Sequence, residues 1–476
     1  MAEAIKSTDF EVEKGNGRLK HPAGLYLLFF TEMWERFSYY GMRALLMLYL
    51  TASFVTGGLG YDVPSAARIY GAYTFLVYFT PIIGGEIADK FLGQKKSIML
   101  GAAVMILGNL TLFGWQTRWA LYLGLGFIIV GNAFFKPNIS TIVGQLYEDG
   151  DKRKDSAFTI FYMGINLGSL IAPIICGLLA ENFFATKSGE VILHYGFRYG
   201  FLAAGIGIIL GEIIFITLSP KYLAHVGEIK RERNKKDVAK EKKPLTKQEK
   251  KRVAVILILA SFVVFFWAGF EQAGTTLTLF AENATNRSLF GWTVPVAFFQ
   301  SINPLFILIL APLFSKLWFT LANSKRGDLS IPTKMAMGMI VLGCGFLLMV
   351  FATMSLGGNV ENPAVKASMF WLVGTYLFNT MGELCLSPIG LSMVSSLAPA
   401  KYASLLMGVW LASNGVANYL SGFIASFVEK LGALELFGSI AGVSIVLGLV
   451  LLLLSKKITA MTVSYTHLTL PTKLEV

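Results

Sequence analysis

Residues 24–54 read GLYLLFFTEMWERFSYYGMRALLMLYLTASF, an almost unbroken apolar stretch that contains four charged side chains. A helix needs about 20 apolar residues to cross a hydrocarbon layer roughly 30 Å thick, and this stretch is longer than that. Glu32, Glu35 and Arg36 lie at helical positions i, i+3 and i+4, and Arg43 follows Arg36 two turns later on the same face. The stretch therefore predicts a membrane-spanning helix with one charged face.

Charged side chains in the middle of a membrane helix are costly, at about 2.5–3.5 kcal/mol each on insertion scales. They normally face a water-filled cavity or pair with an opposite charge. Two acids beside two bases provide more titratable groups than packing requires. We interpret the charged face of this first helix as functional; the alternative is an inert ion-pair cluster that ties it to a neighbouring helix.

The rest of the chain has the same apolar character. Of its 476 residues, 54% are hydrophobic and 15% are charged, and the mean hydropathy is +0.60. Soluble domains carry about 25% charged residues, so this composition excludes a water-soluble globular protein. An aromatic content of 13% also excludes a disordered chain. Eleven further apolar runs are each long enough for a membrane helix: 64–88, 97–116, 119–146, 155–183, 196–219, 253–282, 292–321, 333–355, 367–397, 402–429 and 434–455.

A basic loop separates the first six runs from the last six. The stretch from Lys221 to Arg252 holds 13 Lys and Arg against 5 Asp and Glu, which is most of the net charge of +12. Basic loops of membrane proteins stay in the cytoplasm, and nucleic-acid binding is the weaker interpretation of such a run. With an even number of spans, we expect both termini to be cytoplasmic as well.

The sequence thus predicts an all-α membrane protein with twelve transmembrane helices in two six-helix bundles. The first 20 residues are polar, so we expect no cleavable signal peptide. Residues 464–476 resemble a cloning or read-through tail, the alternative being a natural cytoplasmic one. The predicted parts are a cytoplasmic N-terminal arm at 1–20, an N-terminal bundle at 21–220, a cytoplasmic basic linker at 221–252, a C-terminal bundle at 253–457 and a tail at 458–476 that we expect to be partly foreign.

Three other ionisable residues lie deep in apolar runs. Lys136 belongs to the N-terminal half, and Glu271 and Glu383 belong to the C-terminal half. Opposite charges on opposite bundles suit a site that closes around a dipolar ligand; the alternative is one structural salt bridge and an unrelated acid. Glu212 also lies in an apolar run, and we assign it no role.

A buried carboxylate beside a base can be ionised in one conformation and protonated in another, which would couple proton entry to a conformational change. Glu271 meets this requirement if a base lies next to it. Histidine is the usual titratable group near neutral pH, but His21, His194, His225 and His467 all fall in predicted loops or tails. Proton coupling would therefore depend on carboxylates.

Several aromatic and amide side chains accompany these charges. An asparagine in the middle of a membrane helix is costly unless its amide is bonded, so it is better evidence for a polar cavity than an aromatic residue is. The three cysteines, Cys176, Cys344 and Cys385, lack metal-ligand spacing, and we expect buried thiols, no metal site and no cofactor. The candidate cavity residues are Tyr39, Tyr40, Tyr78, Trp267, Trp410, Asn166 and Asn303.

The loop after the second predicted helix carries a recognisable motif. Residues 84–101 read GGEIADKFLGQKKSIMLG, with Gly85, Asp89, Lys90 and Gly93 at its key positions. The loop resembles the signature loop of the major facilitator superfamily, in which acidic and basic residues latch the cytoplasmic ends of neighbouring helices. This resemblance implies a conformational role and does not identify a substrate.

Three other motifs resemble those of the proton-dependent oligopeptide transporter (POT) family. They are ExxERFxYYG at 32–41, FYMGINLGS at 161–169 and GELCLSPIGLS at 382–392. The resemblance covers residues 20–455. It implies a major facilitator fold and a proton-coupled symporter, not an enzyme, that imports di- and tripeptides by alternating access. It also implies a multi-pass protein of the plasma (inner) membrane, surrounded by lipid and functional as a monomer, with the proton as coupling ion.

The resemblance also assigns roles by position. Glu32, Glu35 and Arg36 would form a proton-coupling triad. Glu271 would pair with Lys136 and release it on protonation. The substrate contacts would be Arg43 and Lys136 for the peptide carboxylate, Glu383 for the ammonium, Asn166 and Asn303 for the termini or backbone, and Tyr39, Tyr40, Tyr78, Trp267 and Trp410 for the side chains.

One feature departs from the family pattern. Many bacterial members insert two extra hydrophobic helices between the halves, whereas residues 221–252 are hydrophilic and too few for that pair. The core is complete without them. The rival interpretations are a related transporter of nitrate or another anion, a drug antiporter of the same superfamily, and a membrane enzyme or receptor. The acids on the first and tenth helices argue against the anion transporter, and no nucleophile–base pair, metal cluster or phosphate loop supports an enzyme.

Overall fold

A computed structural model provides the fold. The predicted N-terminal arm, the central part of the basic linker (228–244) and the final segment 463–476 lie outside the described residues. The structure describes residues 21–148, 151, 153–189, 191–224, 226–227, 245–324, 328–358, 360–361, 363–399 and 402–462.

The described residues form twelve spans, numbered helix 1 to helix 12, six in each half of the chain. In the N-terminal half, helix 1 is Ala23–Thr51, helix 2 is Val63–Phe79 continued by Pro81–Ile87 and the π-helical turn Ala88–Leu92, helix 3 is Gln94–Gly114, helix 4 is Arg118–Gln145, helix 5 is Arg153–Leu178 with the π-helical turn Leu179–Phe183, and helix 6 is Phe197–Tyr222.

The C-terminal half repeats this arrangement with more interruptions. Short strands lie in the loops of both halves. The N-terminal half has β1 (Thr186–Ser188) and β2 (Val191–His194), and the C-terminal half has β3 (Thr285–Asn286), β4 (Ser288–Leu289), β5 (Trp292–Thr293) and β6 (Ala367–Ser368). Helix 7 is Lys247–Phe270, the 3₁₀ turn Glu271–Gly274 and Thr276–Asn283; helix 8 is Phe298–Ala322, helix 9 is Ile331–Ser355, helix 10 is Phe370–Leu384 and Ser387–Leu397, helix 11 is Ala403–Ala425 followed by Val428–Leu431, and helix 12 is Ala433–Thr462.

The predicted helices are confirmed, with shifts at some of their ends. Helix 7 begins at Lys247, six residues before the predicted start, because Thr246 and Glu249 form a capping box around a polar first turn. Helix 8 begins at Phe298 instead of 292, since Trp292 and Thr293 pair with β4. Hydropathy predicts neither the capping box nor the strand pair.

Eight of the twelve spans are apolar and long enough to cross a membrane by composition alone. The other four are helices 1, 2, 10 and 11, and each has an identifiable reason. Helix 1 carries its four charges, helices 2 and 10 are interrupted, and helix 11 carries Asn414 and Asn418. All four of these spans contribute residues to the cavity described below.

The helices pack mainly within their own half. Helix 1 packs against helices 5 and 6, and helix 3 packs against helices 4 and 6. In the second half, helix 9 packs against helices 10 and 12, and helix 7 packs against helices 11 and 12. Two extensive contacts join the halves, helix 2 with helix 11 and helix 5 with helix 8. The architecture is therefore two bundles that meet along two pairs of helices.

Glycines bring the two bundles together on the far side, the side opposite the start of helix 1. A Cβ at Gly422 of helix 11 would lie 2.7 Å from Gly71 Cα of helix 2 and would also press against the Ala67 carbonyl oxygen. Helices 5 and 8 meet in a similar way, since a Cβ at Gly177 would lie 2.9 Å from Ala297 Cβ. Backbones this close leave no passage at these two contacts.

A buried ionic cluster reinforces the far-side contact. Arg287, in the loop before helix 8, donates to Glu181 of helix 5 at 3.2 Å and to Glu282 of helix 7 at 2.8 Å. Glu181 also accepts from the Val296 N–H at 2.9 Å, and the Tyr195 hydroxyl donates to Glu282 at 2.6 Å. Both halves contribute to this cluster, so the bundles cannot separate here without breaking it.

We predict that Gly422→Ala lowers the thermal stability of the protein in detergent. The added methyl group has no space against helix 2, and overpacking of this kind costs about 1–3 kcal/mol. Gly438→Ala on helix 12 is the matched control, because a Cβ there meets nothing within 4 Å. Replacing a helical glycine with alanine in open space should leave the melting temperature unchanged or higher. Equal melting temperatures for the two variants would contradict the close helix 2–helix 11 contact.

Candidate functional site

The central cavity lies between the two bundles and has a volume of about 210 Å³. Residues from helices 1, 2, 5, 7, 8, 10 and 11 contribute to its wall. Eight residues proposed from the sequence line it: Tyr40, Arg43, Tyr78, Asn166, Trp267, Glu271, Asn303 and Glu383.

An ion pair between the halves crosses this cavity. The Arg43 guanidinium of helix 1 donates to the Glu271 carboxylate of helix 7, and both side chains are buried. Arg43 also donates to the Tyr70 hydroxyl of helix 2. The pair therefore links three helices from both halves through one guanidinium.

A break in helix 7 places Glu271 at this position. The regular helix ends at Phe270, and Glu271 begins a 3₁₀ turn before the helix resumes at Thr276. Gly274 in this turn lies against the Tyr70 hydroxyl, where a Cβ would clash. Because the C-terminal end of a helix carries partial negative charge, a bare carboxylate there is favoured only with a cation or proton beside it. Arg43 supplies the cation.

Lys136 differs from its expected arrangement. The sequence interpretation paired it with Glu271, but in this structure Glu271 binds Arg43. Lys136 precedes Pro137 within helix 4, and its Nζ lies 4.0 Å from the centre of the Tyr78 ring on helix 2. Among the described residues it forms no salt bridge. A half-buried ammonium held by an aromatic ring next to the cavity wall remains available to an anion.

The remaining charges of helix 1 form a separate cluster below the cavity wall. Arg36 pairs with Glu35 and lies 3.1 Å from Glu32, and all three side chains are buried. Asn132 of helix 4 donates to Glu35 at 3.3 Å. One Glu32 oxygen, Oε2, is buried without a hydrogen-bond partner among the described residues. One guanidinium thus serves two carboxylates, which is an arrangement able to hold a proton.

Of the two carboxylates that line the cavity, Glu383 is the one without a cationic partner among the described residues. It lies in the last turn of the first part of helix 10, just before the interruption at 385–386. The Asn303 amide of helix 8 donates to it at 2.9 Å and to the Thr380 hydroxyl at 3.0 Å. Like Glu271, it lies at a helix C-terminal end, where a nearby cation is stabilised. The site is therefore suited to an ammonium group.

Aromatic side chains form part of the wall. Trp267 and Phe270 of helix 7 make an edge-to-face contact at 4.9 Å between ring centres, and both line the cavity. Asn166 lines it from helix 5 and donates to the Tyr162 carbonyl at 2.9 Å. These groups can contact apolar substrate atoms and backbone polar groups respectively.

Two predicted aromatic residues lie outside the cavity in this structure. Tyr39 is buried, with its ring 5.4 Å from the Arg36 guanidinium. Trp410 of helix 11 is buried against Gly390 of helix 10, where a Cβ would lie 3.0 Å from Trp410 Cε2. Neither side chain lines the cavity in this conformation: Trp410 packs against helix 10, and Tyr39 lies beside Arg36 of its own helix.

The loop between helices 2 and 3 has the features of its motif. Gly93 has a φ of 74°, which favours glycine, and it ends the π-helical turn. Gln94 donates to Asp89 at 2.9 Å, and Lys90 pairs with Glu86. Gly85 faces Pro137 of helix 4, with 3.4 Å from its would-be Cβ to Pro137 Cβ. The loop is thus fixed to itself and to helix 4.

Sequence reasoning missed part of the wall. Tyr162 lies within a quoted motif, and Asn379 and Asn414 meet the same mid-helix criterion that identified Asn166. Tyr70 gave no signal, because an isolated tyrosine in an apolar run is usually a packing residue. The missed cavity residues include Tyr162, Gln300, Tyr376, Asn379 and Asn414. Among the described residues, no cluster of His, Cys, Asp and Glu side chains is suited to hold a metal ion.

Comparison with known proteins agrees with this geometry. The sequence model of the POT family matches residues 95–236 and 221–440. An uncharacterized transporter of Bacillus subtilis, YclF, is 36% identical over 92% of this chain and 94% of its own length. A di-/tripeptide transporter of Lactococcus lactis subsp. cremoris is 32% identical over 92% of this chain and 96% of its own.

A solved structure extends the likeness to three dimensions. The crystal structure of a peptide transporter POT in complex with sulfate superposes with a TM-score of 0.82 at 33% identity, covering 94% of this chain and 97% of the other. This likeness confirms the major facilitator fold predicted from the sequence. The protein therefore belongs to the POT family of transporters.

Proposed function

We propose that the protein is a proton-coupled symporter that imports di- and tripeptides across the plasma membrane by alternating access. The observation that carries the proposal is the charge arrangement of the cavity: the Arg43–Glu271 pair on one side and Glu383, without a cationic partner among the described residues, on the other. Membership of the POT family and the likeness to a di-/tripeptide transporter support it.

The cavity offers partners for both ends of a short peptide. A peptide is a zwitterion, so fixed opposite charges can bind its termini and leave its side chains unconstrained. Glu383 would bind the ammonium, and Arg43 and Lys136 would bind the carboxylate. Asn166 and Asn303 would bond the termini or backbone. Because the charged contacts are made with the two termini, many short sequences fit, while long peptides do not.

Proton coupling would arise from competition for Arg43. The Glu271 carboxylate and the peptide carboxylate both need this guanidinium, and one cation cannot balance two anions in a site poor in water. A proton on Glu271 removes one of them and releases Arg43 to the peptide. The Glu32–Glu35–Arg36 cluster would hold or relay the proton within the N-terminal bundle. Peptide and proton then bind more favourably together than either does alone.

Alternating access would require the far side to open. That side is closed by the glycine contacts and by the Glu181–Arg287 cluster. We infer from the basic loops that the opposite side, with both termini, lies in the cytoplasm. The structure would therefore correspond to a state that is closed toward the exterior. One elementary charge that crosses a membrane potential of 100 mV would supply about 2.3 kcal/mol for uptake.

The direct test is transport by the purified protein. Uptake of labelled Ala-Ala into proteoliposomes should rise with an inward proton gradient and be competed by a tripeptide, but not by nitrate or by a free amino acid. Gradient-independent uptake would contradict proton coupling, and competition by nitrate would favour an anion transporter. The plasma-membrane location and the monomeric state are part of the same proposal.

We predict that Glu271→Gln abolishes uphill uptake driven by a proton gradient while peptide counterflow remains measurable. Glutamine keeps the shape of the side chain but removes the group that takes up the proton. Glu435→Gln is the control, because Glu435 is an exposed acid at the start of helix 12. Unchanged uphill uptake by Glu271→Gln would remove Glu271 from the coupling mechanism.

We predict that Glu383→Ala weakens binding of peptides with a free amine more than binding of their N-acetylated counterparts. Only the free amine loses a charge-assisted contact, which is worth about 1.5–3 kcal/mol, or roughly ten- to a hundred-fold in affinity. Competition constants for Ala-Ala and N-acetyl-Ala-Ala measure the difference. Equal losses for the two ligands would exclude Glu383 as the ammonium site.

A further inference from the structure

Asn379 of helix 10 has an unusual environment for a buried asparagine. Six asparagines of the described residues are buried: Asn109, Asn132, Asn138, Asn166, Asn379 and Asn418. The amide nitrogens of the other five all donate, four of them to a backbone carbonyl four residues earlier. Both polar atoms of the Asn379 amide lack a hydrogen-bond partner, although the residue is only 1% exposed.

The amide lies on the cavity face of helix 10. Tyr376, Asn379, Glu383 and Ser387 follow one another at intervals of three or four residues, and all four line the central cavity. Residues at this spacing share one helix face. Asn379 is therefore one turn, about 5.4 Å along the axis, from the carboxylate of Glu383.

Helix 9 leaves space for this amide without bonding it. Gly345 faces Asn379, and a Cβ at Gly345 would lie 3.1 Å from the Asn379 Oδ1. The neighbouring Thr375 hydroxyl bonds the Gly345 carbonyl at 3.1 Å, so that acceptor is already engaged. An unbonded amide inside a membrane bundle is costly, and such groups are normally satisfied by a neighbouring helix. Asn379 also borders the central cavity, so a ligand bound there is the remaining source of a partner for its amide.

We propose that Asn379 is a specificity-determining residue that hydrogen-bonds the polar side chain of the first residue of the transported peptide. The inference rests on the proposed function, in which Glu383 binds the ammonium. The side chain of the first residue leaves the same carbon atom that bears this ammonium, so it lies within a helical turn of Glu383. A carboxamide both donates and accepts, and it matches a hydroxyl or carboxamide side chain such as that of serine or asparagine.

The experiment compares Asn379→Leu with the wild-type protein in proteoliposomes. Leucine has a similar size and makes no hydrogen bond. Competition constants are measured for Ala-Ala, Ser-Ala and Ala-Ser against labelled Ala-Ala. Wild type should favour Ser-Ala over Ala-Ala by roughly three- to ten-fold, the effect of one neutral hydrogen bond, and Asn379→Leu should lose this preference. The ratio for Ala-Ser to Ala-Ala should not change, because its hydroxyl is on the second residue.

Asn418→Leu is the matched control. Asn418 is also a buried asparagine in a membrane helix, but its amide is bonded to the Asn414 carbonyl and it does not line the cavity. It should keep the wild-type preference for Ser-Ala. Asn379→Leu should melt no lower than wild type, since it removes an unbonded polar group, whereas a structural role would lower its melting temperature.

Three results would overturn the inference. They are an unchanged Ser-Ala preference in Asn379→Leu, an equal weakening of all three peptides, and a melting temperature below that of wild type. In each case wild-type uptake of Ala-Ala persists, so the proposed function stands. Absence of proton-driven Ala-Ala uptake by the wild type would instead overturn the proposed function, and this inference with it.

Discussion

A buried charge inside a membrane bundle is costly without a partner, and most buried charges in the described part of this chain are paired. Arg43 is held by Glu271, Arg36 by Glu32 and Glu35, and Arg287 by Glu181 and Glu282. Isolated charges in a medium of low polarity are so unfavourable that a partner must be found within the protein or brought in from outside. Glu383 lines the cavity and is bonded by the Asn303 amide without a cationic partner among the described residues, so an external cation fits there. A buried carboxylate without a cationic partner favours a ligand that carries a cationic group.

Interrupted helices put the two acids of the C-terminal half in place. Glu271 follows the end of the first part of helix 7, and Glu383 precedes the break in helix 10. The partial negative charge of a helix C-terminus disfavours a bare carboxylate and favours a proton or cation next to it. A proton or a cation beside either acid therefore stabilises it. Regular helices surround these breaks, and glycine contacts hold the bundles close on one side, so the charges can exchange partners without disturbing the rest of the fold.

Much of the fold and part of the site could be predicted from the sequence. Hydropathy located all twelve spans, and the charge pattern identified Arg43, Glu271 and Glu383, which the structure brings to one cavity. The partner of Glu271 could not be predicted, because Arg43 and Lys136 are equally cationic and only the path of the helix 7 break decides which is closer. Trp410 and Tyr39 were assigned to the cavity, yet neither lines it: Trp410 packs against helix 10, and Tyr39 lies beside Arg36 of its own helix. Sequence shows that a residue is aromatic and lies in a helix, but not which neighbour its face meets.

The sequence by itself determined the number of spans, the position of the charges along each helix and the family motifs, because these follow from local composition and helical periodicity. Only the tertiary structure decided which charges pair, which amides are bonded and where the bundles close. Those properties depend on distances between segments remote in the chain, such as Arg43 and Glu271 or Gly71 and Gly422, and on the breaks that direct them. The unbonded amide of Asn379 is a clear case: its residue type is plain in the sequence, but its lack of a partner exists only after helices 9 and 10 have packed.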